Sequence, residues 1–478
     1  MKKIFFSAFS SQIVKGLLPL LIVPLFVSEW GDDLYSIWLQ SLALVTFVSF
    51  FGAGLNNYGI NRTQIAFAQS SRASYKIYDS LLSLNIFLFF VASLSQILII
   101  ILIDIIFGTS SIWLTILLGL YLATNNLFSY VNLVYRVRGR YHLSLLFSMI
   151  FTLILYSGMA YILINNFSPL FLAFWLLSFT LFCLFLNLVL IRKILNLYLR
   201  LNFRIRRFKP YFLRSYKFLF FQVGDYFRIN LPVVFLGYVA NPIVVVFFTI
   251  NRTLSNILSQ FYILIHHTIM QRITATYAQK KGSQERFIYL VTSYITFSLL
   301  IYLGFILVSF YGEIMKLWIG RGYENYYDPS IFLLLVINSV IYCMWNVGSI
   351  FLVATNNFSR LSYLSAVHGM AFFIFLFIGY KISGLEMMLL FGILSELIFG
   401  LWLINREIYR YLKLKSFEYS LLYIVIFFEL LLHTTIYNVS ENLLITIFAH
   451  SLLLSMLAVI SWKARSHLIR FLSHGRKY

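Results

Sequence analysis

Charged residues are the class that this sequence has least of. Only 11% of its 478 residues are Asp, Glu, Lys or Arg, whereas 61% are hydrophobic and the mean hydropathy is +0.86. Because soluble domains carry about 25% charged residues, this composition excludes an ordinary soluble protein. It indicates instead a chain that crosses a membrane several times.

Cysteines and acidic residues are also scarce. The two cysteines, Cys183 and Cys343, lie in apolar runs, which excludes a disulfide framework and a cysteine-based metal site. The 16 acidic residues are outnumbered by 37 basic ones, for a net charge of +21. The first apolar stretch, 5–27, is followed by no small-residue cleavage site, so we interpret it as an uncleaved helix rather than a signal peptide.

Apolar segments of about 20 residues, the length that spans a bilayer, recur along the whole chain. They predict an all-α polytopic membrane protein with about 14 transmembrane helices. The predicted spans are 5–27, 34–59, 79–103, 112–135, 143–164, 169–191, 215–239, 244–268, 287–310, 330–354, 361–380, 385–404, 417–437 and 442–462.

The basic residues lie almost entirely on one side of these spans. With the N-terminus in the cytoplasm, three fall outside (Lys316, Arg321 and Lys381) and three fall within helices, which leaves the other 31 of the 37 on the cytoplasmic side. The positive-inside rule therefore predicts that both termini are cytoplasmic. Basic loops beside anionic membrane lipids account for the net charge without a nucleic-acid partner.

An internal repeat divides the chain. Lys15 precedes Pro19 by four residues in the first predicted helix, and Arg228 precedes Pro232 by four in the seventh. The seventh helix is six helices on from the first and therefore crosses the membrane in the same direction, so the two matches indicate a parallel repeat about an axis along the membrane normal. We predict an N-terminal six-helix lobe at 1–200, a basic cytoplasmic hinge at 201–214, a C-terminal six-helix lobe at 215–410, and two extra helices with a basic tail at 411–478.

Six charged residues lie deep inside the predicted helices. They are Lys15, Asp225, Arg228, Arg252, Glu396 and Glu429. Charges at that depth are costly, so they usually face a cavity and mark a transport path. Asp225 and Arg228 are three residues apart and share a helix face, which predicts that they pair. Pro19 and Pro232 each remove a backbone hydrogen bond, which permits a bend that serves as a gate or is an ordinary kink.

The order of these features resembles the polysaccharide-biosynthesis (O-antigen) flippase family, within the superfamily that includes the multidrug-and-toxin extruders. The resemblance rests on SSQIVKGLLPLLIVPLFVSEWGDDLYSIWLQ near the start, on GDYFRINLPVVFLGYVANPIVVVFFTINRTL in the middle, and on the basic ends of helices 4 and 10. It implies a bacterial inner-membrane protein with two six-helix lobes around a cavity that opens alternately to each side. The implied cargo is an undecaprenyl-diphosphate-linked oligosaccharide, with a polysaccharide polymerase as a possible partner.

On this resemblance, Lys15, Arg228 and Arg252 become candidate diphosphate contacts. Asp225 and Glu396 become candidate coupling or gating acids for H⁺ or Na⁺, and Asp225 would hold Arg228 until the diphosphate competes for it. Other interpretations stay open: Lys15 and Arg252 snorkelling to an interface, a structural salt bridge between Asp225 and Arg228, and a neutral, hydrogen-bonded Glu396. We expect no catalytic residue, cofactor or metal site.

Three rival functions fit the sequence less well. A multidrug extruder of cationic drugs would favour acids in the cavity, whereas cations dominate here. A peptidoglycan-precursor flippase needs similar physics and stays an alternative. A membrane glycan polymerase would be an enzyme, but the first external loop, with Glu29, Asp32 and Asp33, spans only about six residues and offers no room for an acceptor.

Overall fold

A computed structural model gives the structure of the chain. It describes residues 2–48, 59, 63, 71–107, 111–137, 140–195, 217, 219–263, 269, 273, 282–355 and 358–414. The hinge predicted at 201–214 and the two helices predicted at 417–437 and 442–462 lie outside these residues.

The described residues are almost entirely helical and include no strand, as the composition predicts. The helices are α1 (Lys2–Val45), α2 (Ser71–Phe107), α3 (Ile112–Asn132), α4 (Val134–Val137), α5 (Tyr141–Ile164), α6 (Pro169–Leu195), α7 (219–229), α8 (Leu231–Val239), α9 (Pro242–Ser255, continued after Asn256 by 257–263), α10 (Gly282–Ser309), α11 (Tyr311–Trp318), α12 (Pro329–Ala354), α13 (Ser359–Ser395) and α14 (Asn405–Leu412). Short 3-10 turns occupy Thr46–Val48 and Tyr323–Tyr326, and a π-helix, Glu396–Ile404, joins α13 to α14.

The first helix is a hairpin that turns at one glycine. The rings of Phe26 and Trp38 lie 5.8 Å apart, whereas twelve residues of straight helix would separate them by about 18 Å. Gly31 has φ 63° and ψ −174°, a backbone region that is essentially restricted to glycine. The external loop predicted between the first two spans is therefore a tight helical turn.

A second hairpin turns inside α13. Ser383 and Gly384 leave the helical conformation, and Gly384 has φ 70° and ψ −145°. The rings of Phe375 and Phe391, which straight helix would place about 24 Å apart, have centroids 6.2 Å apart. This turn lies between the predicted spans 361–380 and 385–404 and confirms that boundary.

Helix α1 contacts both halves of the described chain. It packs against α3 and α5 on one side and against α8 and α9 on the other. In the second half, α12 packs against α10, α13 and the π-helix. The largest cluster of buried apolar residues runs through both halves.

Two hydrogen bonds connect α1 to the segment between α10 and α12. Pro24 has no backbone N–H to donate to the carbonyl of Leu20, and the indole Nε1 of Trp318 donates to this carbonyl at 2.5 Å. The hydroxyl of Tyr326 donates to Oδ1 of Asp32 at 2.7 Å. Both contacts lie on the side of the chain that the basic residues predict to be external.

The chain is a multi-pass membrane protein. In the described part, nine helices are long and apolar enough to cross a membrane, and two of them, Ile13–Val45 and Ser359–Leu412, contain the glycine turns described above. The total of 14 spans and the boundaries of the two lobes stay predictions.

Candidate functional site

The site lies at a break between two helices. Helix α7 ends at residue 229, and Pro232 stands in the first turn of α8. The N–H of Val233 donates to the carbonyl of Asn230 rather than to that of Ile229. Nη1 of Arg252 donates to the Ile229 carbonyl instead. Arg252 therefore satisfies a backbone acceptor that the break leaves without a helical donor.

Arg228, on the last turn of α7, forms a buried ion pair with Glu396. Its Nη1 lies 3.0 Å from Oε1 of Glu396, and the two side chains are 8% and 0% exposed. Its guanidinium carbon also lies 3.3 Å from the centroid of the Tyr342 ring, a cation–π contact. The predicted pairing of Arg228 with Asp225 is therefore wrong in its partner. Asp225 interacts with Arg228 and Glu396 electrostatically but forms no ion pair with a described residue.

Glu396 is the centre of a buried polar cluster. Nε1 of Trp345 donates to its Oε2 at 2.7 Å, and Nε2 of His368 lies 3.5 Å from the same oxygen. Glu396 is also the first residue of the π-helix, a geometry that is rare and frequent at functional sites. A Cβ at Gly400 would lie 2.6 Å from Nε1 of Trp345 and 3.0 Å from Oε2 of Glu396, so this glycine leaves room for the indole that donates to the carboxylate.

Glycines hold α7 close to α13. A Cβ at Gly224 would overlap the main chain of Ser365, and a Cβ at Gly369 would overlap the main chain of Gly224. Small residues let helix backbones approach in membranes. Because Gly224 and Arg228 are four residues apart on one helix face, this crossing directs Arg228 toward Glu396.

Both arginines line one cavity. Its volume is about 270 Å³, and Pro232 lies on its wall beside Arg228 and Arg252. Neutral polar side chains form the rest of its hydrogen-bonding surface: Asn256, Ser259, Gln260, Asn338, Ser339, Tyr262 and Tyr342. Oδ1 of Asn338 is buried and has no hydrogen-bond partner among the described residues. The cavity therefore presents positively charged N–H donors and neutral hydrogen-bonding groups within apolar surroundings.

Lys15 and Pro19 do not line this cavity. Lys15 forms no hydrogen bond or ion pair with a described residue, but its neighbour Gly16 packs on Gln260 of the cavity wall, where a Cβ would lie 3.3 Å from Cγ. The structure therefore brings Arg228, Arg252 and Pro232 together around the cavity. Glu396 and Asp225 do not line the cavity but interact with Arg228, and Lys15 is one residue away from a cavity contact.

Three members of the site escape the sequence analysis: Tyr342, Trp345 and His368. Tyr342 and Trp345 are two of many aromatic residues, and no spacing marks them. His368 is a histidine inside an apolar predicted span, which is the one signal that the sequence offers. In the described part of the chain, no group of three or more His, Cys, Asp and Glu residues could hold a metal ion.

Comparisons with known proteins relate the chain to transporters by its fold. The sequence matches no protein-family model and no curated protein. The fold is similar to a lipid II flippase MurJ in an inward closed conformation, with a TM-score of 0.66, 13% identity, and coverage of 97% of this chain and 99% of that one.

It is also similar to a MATE transporter in the straight conformation, with a TM-score of 0.63, 13% identity, and coverage of 86% and 96%. The Vibrio cholerae MATE transporter VcmN in the bent form gives a TM-score of 0.62 at 11% identity, with coverage of 86% and 97%. This chain therefore has the fold that MATE transporters and MurJ share. These neighbours are transporters and a flippase, not enzymes.

Proposed function

We propose that this chain is a flippase for an undecaprenyl-diphosphate-linked oligosaccharide. It would move a repeat unit of a surface polysaccharide (O-antigen or capsule) from the cytoplasmic to the outer leaflet of the bacterial inner membrane. Transport would proceed by alternating access coupled to an ion gradient, and a polysaccharide polymerase would use the product. The observation that carries the proposal is the pair of guanidinium groups, Arg228 and Arg252, on one cavity between membrane helices.

The charge at this cavity suits an anion. The guanidinium groups of Arg228 and Arg252 repel each other, and Arg252 donates to a neutral carbonyl rather than to a carboxylate. Each guanidinium has five N–H donors in a planar fork that matches phosphate. A diphosphate between the two groups would replace their repulsion with charge-assisted hydrogen bonds.

The size of the cavity limits what it can hold. Pockets for small molecules measure about 300–1,000 Å³, and this cavity, at about 270 Å³, lies just below that range. It suits the diphosphate and the group next to it, while the prenyl tail stays in lipid. The amides and hydroxyls of Gln260, Asn338 and Ser339 would bind neutral polar parts of the cargo.

Further predicted residues have roles in this scheme. Lys15 would contact the diphosphate when α1 moves relative to α9. Pro19 and Pro232 would permit the bends that open one side and close the other. Asp225 and Glu396 would act as coupling or gating acids, with Glu396 holding Arg228 in the absence of cargo.

The test is a strain of the host that lacks this protein. We expect loss of surface polysaccharide and accumulation of complete lipid-linked repeat units on the cytoplasmic leaflet. Unpolymerised repeat units on the outer face would contradict the proposal and favour a polymerase. An unchanged glycan profile with altered drug sensitivity would favour a multidrug extruder.

A lipid II flippase is the second candidate. The similarity to MurJ covers 97% of this chain, compared with 86% for the MATE transporter in the straight conformation, and lipid II also carries a diphosphate. In the same strain, accumulation of peptidoglycan precursors with normal surface polysaccharide would favour this candidate.

A further inference from the structure

We infer that binding of the diphosphate is coupled to uptake of a proton by the buried pair of Glu396 and His368. This inference rests on the proposed function, because it assigns the coupling ion to the same site. When the anion binds, Arg228 leaves Glu396 and pairs with the anion. Glu396 then binds a proton at the carboxylate that Arg228 has left.

The geometry sets up a competition for Arg228. Arg228 lies on the cavity wall, whereas Glu396 does not line the cavity and is fully buried. An anion in the cavity can therefore reach the guanidinium but not the carboxylate. Oε1 of Glu396 accepts its hydrogen bond from Arg228, whereas Oε2 accepts from Trp345. If Arg228 turns to the anion, Oε1 loses its donor.

A buried carboxylate without a partner is strongly unfavourable, and protonation removes that charge. The step balances in charge: a proton from water adds to Glu396 as the dianionic ligand pairs with Arg228. His368 can transfer this proton to the carboxylate, because its Nε2 lies 3.5 Å from Oε2. This nitrogen is buried and makes no hydrogen bond to a described residue. Histidine exchanges protons in the physiological pH range.

The other titratable groups that face Glu396 also favour its protonation when the ligand binds. On α7 they are Asp225 and Arg228, on α12 they are Tyr342 and Cys343, and on α13 it is His368. Once Arg228 is engaged by the ligand, no second cation among these groups is in contact with Glu396, and Asp225 adds like charge. A proton is therefore the simplest compensation.

A metal cation fits Glu396 less well than a proton does. Hard cations need several oxygen ligands, whereas the groups closest to Glu396 present N–H donors from Arg228 and Trp345 and the imidazole of His368. Trp345 still donates to Oε2 when Arg228 turns to the anion, so a metal cation at Glu396 would meet an N–H donor and an imidazole, with Asp225 as the other carboxylate that faces it. The arrangement favours H⁺ over Na⁺.

The test counts protons in a calorimetric titration of the purified full-length protein in lipid nanodiscs. The probe is a short-chain prenyl diphosphate monosaccharide, a diphosphate diester that keeps both negative charges across the working pH range. Binding heats are compared in buffers with different ionisation enthalpies. We expect uptake of about one proton per bound ligand, and a Kd that weakens by up to about tenfold for each unit by which the pH rises.

Two variants make the assignment specific. Glu396→Gln keeps an acceptor for Trp345 and should bind with no proton uptake. Glu407→Gln is the matched control: Glu407 also accepts from an arginine at 3.0 Å, but its partner Arg360 is 79% exposed. Its proton count should equal that of the wild type.

The wild-type measurement decides the inference even if Glu396→Gln does not fold. Binding without proton uptake, or binding that requires Na⁺, would overturn the coupling while leaving the proposed function in place. Failure of the probe to bind at any pH would instead contradict the proposed function.

Discussion

Arg228 and Glu396 stabilise each other only as a pair. Both are buried, and each leaves an uncompensated charge if the other is removed. Loss of one partner from such a pair costs about 3–5 kcal/mol, whereas replacing both is often neutral. A single substitution at Arg228 therefore changes stability and transport together, and the two effects have to be separated.

The double variant Arg228→Met/Glu396→Gln separates them. We expect Arg228→Ala to lower the free energy of unfolding by about 3–5 kcal/mol and to abolish export. The double variant should recover most of the stability and still export nothing, because the cation is missing. Thermal unfolding in detergent and surface-polysaccharide assays measure the two effects. Normal export by the double variant would remove Arg228 from the cargo site.

Arg252 combines a structural contact with a charge. Arg252→Met leaves the Ile229 carbonyl without its donor, which should cost about 1–3 kcal/mol of stability. Arg252→Lys keeps a positive charge and a donor at the same position, so it should retain more of both stability and export. Thermal unfolding of the two variants is the measurement. Equal stability of Arg252→Met and the wild type would show that the hydrogen bond contributes nothing.

At the scale of the helix, the crossing of α7 and α13 sets the position of Arg228. Gly224→Ala would place a methyl group in the main chain of Ser365, and such overpacking typically costs about 1–3 kcal/mol. We expect α7 to move away from α13 and diphosphate binding to weaken. Gly369→Ala should reproduce the effect, because its Cβ meets Gly224 from the other side. Normal binding by both variants would contradict this role for the crossing.

At the turn at Gly31, we expect a substitution to lower stability through the backbone conformation and not through steric overlap. A Cβ there has open space within 4 Å, so Gly31→Ala is penalised by the backbone conformation alone, by about 1–3 kcal/mol. Gly312→Ala is the control: its Cβ would lie in ordinary contact with Tyr327, at 3.5 Å, and its backbone is helical. Thermal unfolding should show a lower midpoint for Gly31→Ala only. Equal midpoints would argue against strain at the turn.

The sequence predicts the helices of this protein better than their contacts. Apolar segments, the turn near Gly384 and the break at Pro232 follow from local composition. The pairing of Arg228 does not, because helical spacing favoured Asp225, three residues away, whereas the partner found in the structure is 168 residues away. The roles of Trp345 and Tyr342 cannot be predicted from the sequence for the same reason, because tertiary packing alone brings them to the arginine.

At the scale of the whole molecule, Tyr326 ties the two halves of the described chain together. Burial raises the pKa of the Tyr326 phenol, so it stays protonated and donates to Asp32. The Tyr326 carbonyl accepts from Nδ2 of Asn251, the residue before Arg252. Helix α9 therefore contributes a residue to the cavity and also donates a hydrogen bond to Tyr326, which forms the contact between the halves.

Tyr326→Phe removes the hydrogen bond to Asp32 and should favour the state that is open on the predicted external side. A cysteine introduced at Ser339, on the cavity wall, should then react faster with a membrane-impermeant maleimide added from outside. Tyr327→Phe is the control, because its 40% exposed ring stacks on Tyr311 and the hydrogen bond to Asp32 comes from Tyr326. Unchanged labelling in Tyr326→Phe would show that this bond does not hold the outer side closed.

The bond from Trp318 to Leu20 has a consequence for how the protein evolves. Because Pro24 has no N–H, the Leu20 carbonyl lacks its helical hydrogen-bond donor. The indole of Trp318, 298 residues away, donates to it instead. Where a relative replaces Pro24 with a residue that has an N–H, the helix itself supplies the donor, and selection for a donor at position 318 is relaxed. The two positions should therefore covary, with proline and a side-chain donor inherited together and lost together.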